Sequence, residues 1–232
     1  MKLPIMISVP HSGLEVPPEL VDLNLLSRHE IAEDGDEQAA EIYAWSEKVQ
    51  VFVDTAIARA YVDLNRAPDD RRLDGVVKTH TCRMAPIYRE PLSEALVKTL
   101  LEKYYTPYHQ KLSRHAAEVK LGIDCHTMSA VGPPMGPDPG RKRPAICLSN
   151  ADGTIPRDWL EKLAECLHRA FAAEISLNRP FRGGVIIRTH AGELPWVQLE
   201  FSRDLFCSVD DKREKAWQAI TEFYQWRQRK KK

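Results

Sequence analysis

The sequence lacks the features that mark several large classes of protein. Its five cysteines are odd in number and none lies in a C-x-x-C pair, so we expect a reducing compartment and neither a disulfide framework nor a cysteine-rich zinc site. Lys plus Arg and Asp plus Glu both number 33, which leaves no net charge to attract nucleic acid or anionic membranes. There is no membrane-length apolar run and no signal-peptide pattern. We therefore expect a cytoplasmic protein without a nucleic-acid or membrane partner.

The motifs of several common enzyme classes are also missing. The chain has no G-x-S-x-G, no P-loop, no H-E-x-x-H and no G-x-G-x-x-G segment. A serine hydrolase, an NTPase, a zincin and a dinucleotide-dependent enzyme therefore have no support in the sequence. What is present is a chain of 232 residues, 43% of them hydrophobic, which is long enough to bury one substantial core. We predict a single catalytic domain over residues 1–232.

Short apolar runs alternate with longer helical patterns along the chain. The predicted strands cover residues 3–9, 51–55, 60–64, 122–127, 144–149, 184–188 and 196–202. The predicted helices cover residues 36–48, 93–120, 156–171 and 210–228, with a break expected at Pro107. Strands separated by long helices predict an α/β sandwich with a mixed, largely parallel sheet. In such sheets, ligands bind beyond the carboxyl ends of the strands.

Two histidines occupy positions at predicted strand ends. His11 follows the first strand in a tight turn, between Pro10 and Ser12. His126 lies on a later strand, where the period of two places Asp124 on the same face. A ring presented in this way is suited to binding a metal, with the nearby carboxylate orienting the histidine. Taken singly, each histidine could instead be bonded only to its local surroundings.

A third metal ligand would have to be a carboxylate. Asp36 lies between Gly35 and a predicted helix, a position that also suits a simple helix cap. As a ligand, it would complete a site of two histidines and one carboxylate with a position left for water. Glu15, four residues after His11, is the competing candidate.

The segment from Val197 to Ser202 alternates strictly between apolar and polar residues. This pattern directs Leu199 toward the core and Glu200 toward the opposite face. Glu200 could be a solvent-facing residue of an edge strand. At a strand end beside a metal, it would instead suit the role of general base toward water.

A second polar segment borders the predicted strand 60–64. It contains Arg59 on one side and the pair Asn65-Arg66 on the other. An Asn-Arg pair is well suited to holding a carboxylate, because the guanidinium forms two parallel hydrogen bonds and the amide adds a third. The alternative is a surface ion pair with Asp69 or Asp70.

Taken together, four segments resemble the N-formylglutamate amidohydrolase family, in the same order and over roughly residues 4–205. The segments are Pro10-His11-Ser12-Gly13, Asp63-Leu64-Asn65-Arg66-x-Pro68, Asp124-Cys125-His126-Thr127-Met128 and Gln198-Leu199-Glu200-x-x-Arg203. That family in turn resembles the zinc carboxypeptidases and aspartoacylase, which share the D-L-N-R segment. The relationship implies a three-layer, phosphorylase/hydrolase-like α/β fold with one zinc ion.

The resemblance also implies a set of metal ligands. It assigns the zinc ion to His11, Asp36 and His126, and it favours Asp36 over Glu15 because the family has an aspartate just before a helix in this region. The expected partner is a small carboxylate-bearing substrate. The implied activity is hydrolysis of N-formylglutamate to formate and glutamate, a step of histidine degradation.

The same resemblance implies roles for the remaining polar residues. Arg59 would stabilise the oxyanion, and Glu200 would act as the base. Asn65 and Arg66 would hold the substrate carboxylate. The chain is short for the family, and its proline-rich loop 129–143 could reshape the acyl side of the pocket. A zinc carboxypeptidase, a deacylase for another N-acyl amino acid and a non-catalytic metal- or carboxylate-binding protein remain alternatives.

Overall fold

A six-stranded sheet forms the centre of the computed structural model, which describes residues 2–230. The predicted domain also includes Met1, Lys231 and Lys232, which lie outside the described residues. The strands are β1 (Leu3–Val9), β2 (Val49–Asp54), β3 (Gly122–Met128), β4 (Ile146–Ser149), β5 (Ile175–Leu177) and β6 (Trp196–Ser202). Their order is β2-β1-β3-β6-β4-β5, and only the β4–β6 pair is antiparallel. The mixed, largely parallel sheet confirms the predicted α/β fold class.

Helices cover both faces of this sheet. They are α1 (Arg28–Asp34), α2 (Ala39–Ile42), α3 (Glu94–Leu100), α4 (Thr106–His115), α5 (Arg157–Phe171), α6 (Val185–Thr189) and α7 (Val209–Arg229). Ile5 and Ile7 of β1 pack into an apolar cluster with α2, α5 and α7, whereas Met6 packs on the other face with α4 and α6. Two apolar clusters on opposite faces make the fold a three-layer sandwich. Within residues 2–230, no helix combines the length and the apolar character needed to cross a membrane.

Two predicted strands are wrong. The segment 60–64 is a buried turn, in which the N–H groups of Tyr61 and Val62 bond to the carbonyl of Ala58. Its apolar residues face the second cluster without pairing to a strand. The segment 184–188 instead forms most of α6. Its first N–H groups bond to the side chain and carbonyl of Asn65, so the residue that caps this helix lies far away in the sequence.

The predicted helix 36–48 is also too long, because only Ala39–Ile42 is helical. Gln38, just before it, has a left-handed backbone with φ 69°, which separates the helix from Asp36. The predicted break near Pro107 is confirmed: a π-helical turn over Leu101–Tyr105 divides α3 from α4. Such wide turns accommodate interruptions in the regular hydrogen-bond pattern. β5 is not predicted, since three residues are too few to show alternation.

Candidate functional site

The polar side chains identified from the sequence converge at the carboxyl ends of β1, β3 and β6, which are adjacent strands. His11 lies just after β1, and β3 places His126 directly beside Glu200 of β6. Together they border a cavity of about 530 Å³. Each of the seven residues proposed for the site lines this cavity, namely His11, Asp36, Arg59, Asn65, Arg66, His126 and Glu200.

Three of these side chains point ligand atoms at a common position. The Nδ1 atoms of His11 and His126 are 3.2 Å apart, and Oδ2 of Asp36 lies 3.4 Å from the first and 3.0 Å from the second. Zinc bonds of about 2.0–2.1 Å in a tetrahedron separate ligand atoms by about 3.3 Å. The donor set therefore fits a zinc-sized cation. Glu15 is exposed and lies outside this group, and its backbone pairs with Ile57.

Two buried carboxylates hold the histidine rings in this orientation. Asp63 Oδ1 lies 2.9 Å from His11 Nε2, and Asp124 Oδ2 lies 2.8 Å from His126 Nε2. Each carboxylate accepts the N–H of the far ring nitrogen and leaves Nδ1 free to bind a metal. The sharing of one face by Asp124 and His126 was predicted from the strand period. The role of Asp63 was missed, although it opens the D-L-N-R segment.

The electrostatics of the site favour a cation at its centre. Burial alone would lower the pKa of His126, but Asp124 and Asp36 outweigh it and raise that pKa well above its usual value. Burial would raise the pKa of Asp36, yet the two histidines hold it well below its usual range. The surrounding carboxylates thus attract positive charge to the place where the three ligand atoms meet.

Arg59 lies beside the three candidate metal ligands, which we call the metal-ligand group, and contacts hold its guanidinium on two sides. Its Nε lies 3.0 Å from Asp63 Oδ2, and its Nη1 donates a 2.7 Å hydrogen bond to the carbonyl of Asp34. The Asp34 carboxylate forms a buried ion pair with Lys78 at 2.6 Å and accepts a hydrogen bond from the N–H of Cys82. These contacts fix the guanidinium at the cavity wall. Asp34 and Lys78 had no signal in the sequence, because their pairing spans 44 positions.

Asn65 and Arg66 reach the same cavity from the turn that replaces the predicted strand. The Asn65 amide donates to Asp124 Oδ2 at 3.2 Å and accepts the N–H of Ile186 at 2.8 Å. A Cβ on Gly184 would lie only 2.2 Å from the Asn65 amide nitrogen, so glycine is required there. Arg66 is 30% exposed and pairs with Asp74 at 2.8 Å. Asn65 is therefore tightly held, while part of Arg66 remains open to the cavity.

Glu200 is oriented by its strand neighbour on the same face. Gln198 donates a 2.7 Å hydrogen bond to Glu200 Oε1, and its own carbonyl oxygen accepts the N–H of Gly184 at 2.7 Å. Burial is the main cause that raises the pKa of Glu200 to about 7, and the charge of Asp36 adds to it. A carboxyl group with such a pKa can accept and return a proton near neutral pH.

This geometry can be compared with known proteins. The family model of N-formylglutamate amidohydrolase matches residues 3–207. The N-formylglutamate deformylase of Pseudomonas putida is 26% identical over 223 residues, and the alignment covers 88% of this chain and 82% of that protein.

Two crystal structures share the fold. The N-formylglutamate amidohydrolase of Ralstonia eutropha JMP134 has a TM-score of 0.78 at 20% identity, with 98% of this chain and 95% of that chain covered. A gene product of Agrobacterium tumefaciens has a TM-score of 0.70 at 18% identity, with 95% and 90% covered. Because the family match extends over most of the sequence, this chain belongs to the N-formylglutamate amidohydrolase family.

Proposed function

We propose that this chain is a zinc-dependent amidohydrolase that cleaves N-formylglutamate, or a closely similar N-acyl amino acid, to the free acid and the amine. The observation that carries the proposal is the group His11, Asp36 and His126, with ligand atoms 3.0–3.4 Å apart, next to Glu200 on the neighbouring strand. The proposal includes a cytoplasmic location and a step in histidine degradation. Its partner is a small carboxylate-bearing molecule.

Different residues of the chain would perform different steps of amide hydrolysis. Zinc, when bound, supplies a Lewis acid and lowers the pKa of water. Glu200 accepts the proton that the attacking water loses and then delivers it to the leaving nitrogen, which departs as the amine. Arg59 donates hydrogen bonds to the carbonyl oxygen as negative charge develops on it, an effect commonly worth about 3–4 kcal/mol per donor.

Asn65 and Arg66 would hold the carboxylate of the substrate. The exposed part of the Arg66 guanidinium is suited to two parallel hydrogen bonds with a carboxylate. The Asn65 side chain is occupied by Asp124 and Ile186, which makes Arg66 the principal contact and Asn65 its rigid support. Binding in this way orients the amide for attack. A protein that only bound metal or carboxylates would have no use for a base at Glu200.

The test combines metal analysis with a substrate panel. The protein, purified without chelator, should contain about one equivalent of zinc per chain and release formate from N-formylglutamate. N-formylglutamine, N-acetylglutamate and a dipeptide with a C-terminal glutamate serve as matched alternatives. Preference for the acetyl compound or the dipeptide would support a different deacylase or a carboxypeptidase. Absence of stoichiometric metal, with no activity restored by any divalent ion, would contradict the proposal.

A further inference from the structure

A line of polar side chains behind the site takes no part in the chemistry described above. We call it the imidazole chain: His109 of α4, His190 just after α6, and Glu193. His109 Nε2 lies 2.9 Å from the carbonyl of Leu64, and His109 Nδ1 lies 2.9 Å from His190 Nε2. His190 Nδ1 in turn lies 2.9 Å from Glu193 Oε2. The two rings are nearly parallel, with 17° between their planes.

The partners of these rings determine how many protons they carry. A carbonyl only accepts, so His109 Nε2 must bear hydrogen, and one further hydrogen must lie between the rings. The Glu193 carboxylate also accepts, which requires hydrogen on His190 Nδ1. Two neutral imidazoles carry one proton too few for these three bonds. With His109 neutral, both nitrogens of His190 carry hydrogen, so the pair holds one positive charge, on His190, with Glu193 as its counter-ion. In support, His190 and Ser113 hold the pKa of Glu193 below its usual range although burial would raise it.

Two other roles for this cluster do not match its geometry. Ser113 donates to Glu193 Oε1 at 2.8 Å and lies 3.4 Å from His190 Nδ1. The serine and the carboxylate thus share one nitrogen, whereas a nucleophilic triad needs them on opposite sides of the ring. A metal is equally unsuited, because the nitrogens of His109 and His190 are turned toward each other and toward the Leu64 carbonyl.

The imidazole chain acts on the backbone that carries Asn65 and Arg66. His109 holds the carbonyl of Leu64, just before Asn65. Tyr105, whose ring packs against that of His109 with the centroids 4.3 Å apart, donates a 2.9 Å hydrogen bond to the carbonyl of Arg66. The carbonyls of the residues before and after Asn65 are thus held by α4 and by the π-helical turn that precedes it.

The imidazole chain also contacts the segment 64–66 at its other end, through His190. The N–H of His190 bonds to the carbonyl of Ile186, and the N–H of Ile186 bonds to the Asn65 side chain. α4 and α6 therefore hold Asn65 between them, and the contact of His109 with His190 joins the two helices.

We infer that the cationic pair His109–His190 is a positioning device for the substrate-binding segment 64–66. The positive charge of His190 polarises the neutral His109 ring, and this strengthens the hydrogen bond that His109 donates to the Leu64 carbonyl. The segment is thereby pre-ordered, and Arg66 meets the substrate carboxylate without first having to be immobilised. This inference rests on the proposed function for the role of Arg66.

Three variants test the inference through the split between KM and kcat. His109→Phe removes both ring bonds and should raise KM for N-formylglutamate about tenfold, the lower part of the range for a hydrogen bond to a charged group. The kcat and the zinc content should stay near wild type, because substrate and transition state lose the same contact. His109→Gln keeps a neutral donor for Leu64 but loses the charged pair, so its KM should lie between those of His109→Phe and the wild type. His115→Phe, on the same helix but paired only with Glu118, should leave KM unchanged.

Gly184→Ala displaces Asn65 directly and gives the size of effect expected when the segment moves. A KM for His109→Phe equal to wild type would overturn the inference and leave the proposed function standing. Equal losses of kcat, zinc and fold in the Phe and Gln variants would also overturn it, as they would show a purely structural role.

Nitrogen NMR of the histidine rings tests the proton count without any activity assay. The inference predicts three protonated nitrogens shared by His109 and His190 at neutral pH, and two would overturn it. If the wild-type protein hydrolyses none of the panel substrates, the proposed function fails while this measurement still decides the charge of the pair.

Discussion

The two faces of β3 and β6 are equally buried but differ in chemistry. Every residue of both strands is buried, yet Cys125 and Leu199 belong to the apolar cluster beneath α5 and α7, while His126 and Glu200 line the cavity. On the apolar face, stability follows from area removed from water and needs no particular partner. On the polar face, each buried group requires a specific hydrogen-bond partner to offset its desolvation.

This difference separates stability from function within single strands. Leu199 and Glu200 are consecutive in the sequence, but one packs in the core and the other faces the metal-ligand group. Substitutions on the apolar face should change the free energy of unfolding and spare the chemistry. Substitutions on the polar face should impair the chemistry and change the free energy of unfolding much less.

The largest effect is expected from His126→Ala. The variant loses one of the three proposed ligand atoms, so we expect it to bind no stoichiometric zinc and its activity to fall to background. Elemental analysis and formate release measure both quantities. His115→Ala is the matched control and should keep both. Full zinc content in His126→Ala would show that His126 is not a metal ligand, and it would contradict the assignment of metal binding to the polar face.

Leu199→Ala tests the apolar face one residue away from Glu200. Leu199 has no exposed surface, and truncation of such a leucine typically lowers the free energy of unfolding by about 2–5 kcal/mol. Denaturant titration of the metal-free protein measures this loss. The KM and the zinc affinity of the folded fraction should be unchanged. A large change in kcat with little loss of stability would show that the two faces are not independent.

Arg66→Lys should weaken substrate binding without changing the fold. Lysine cannot reproduce the guanidinium fork, so KM for N-formylglutamate should rise by a factor corresponding to about 1.5–3 kcal/mol. Arg71→Lys, an exposed position in the same loop, should leave KM as it is. If both variants show the wild-type KM, Arg66 does not contact the substrate.

The smallest effect concerns acid stability. Burial, together with the charge of His190, lowers the pKa of His109 from 6.5 to about 4. Between these values, the unfolded chain binds a proton that the folded protein excludes, so this group contributes stability above pH 6.5 that is lost as the pH falls toward 4. The slope is at most about 1.4 kcal/mol per pH unit. As the pH falls from 6.5 to 4, the free energy of unfolding of metal-free His109→Gln should decrease less than that of the metal-free wild type. Equal decreases would contradict the lowered pKa of His109.

The elements predicted correctly are those whose own residues contain the pattern. β6 was predicted at its exact bounds, 196–202, because strict alternation marks a strand with two different faces. The convergence of His11, His126 and Glu200 followed from the rule that parallel strands end at a common edge. Local pattern was sufficient in these cases.

The predictions that were wrong or missing concern residues whose structure depends on contacts with residues far away in the sequence. The segment 184–188 has the composition of a strand, but Asn65 caps it as a helix across 121 positions. His109 and His190 had no signal at all, since their contact joins residues 81 positions apart. Buried polar groups require partners that no local window contains, and for that reason the polar face was only partly predicted.

The most direct test of the proposed mechanism is the steady-state kinetics of Glu200→Gln, with bound zinc measured on the same sample. Glutamine keeps the size and the hydrogen bond to Gln198 but cannot accept a proton. We expect kcat for N-formylglutamate to fall by about 10²–10⁴-fold, the usual contribution of a general base, with KM and zinc content near wild type. Retained kcat would contradict the assignment of Glu200 as the base, and loss of zinc would place it among the metal ligands instead.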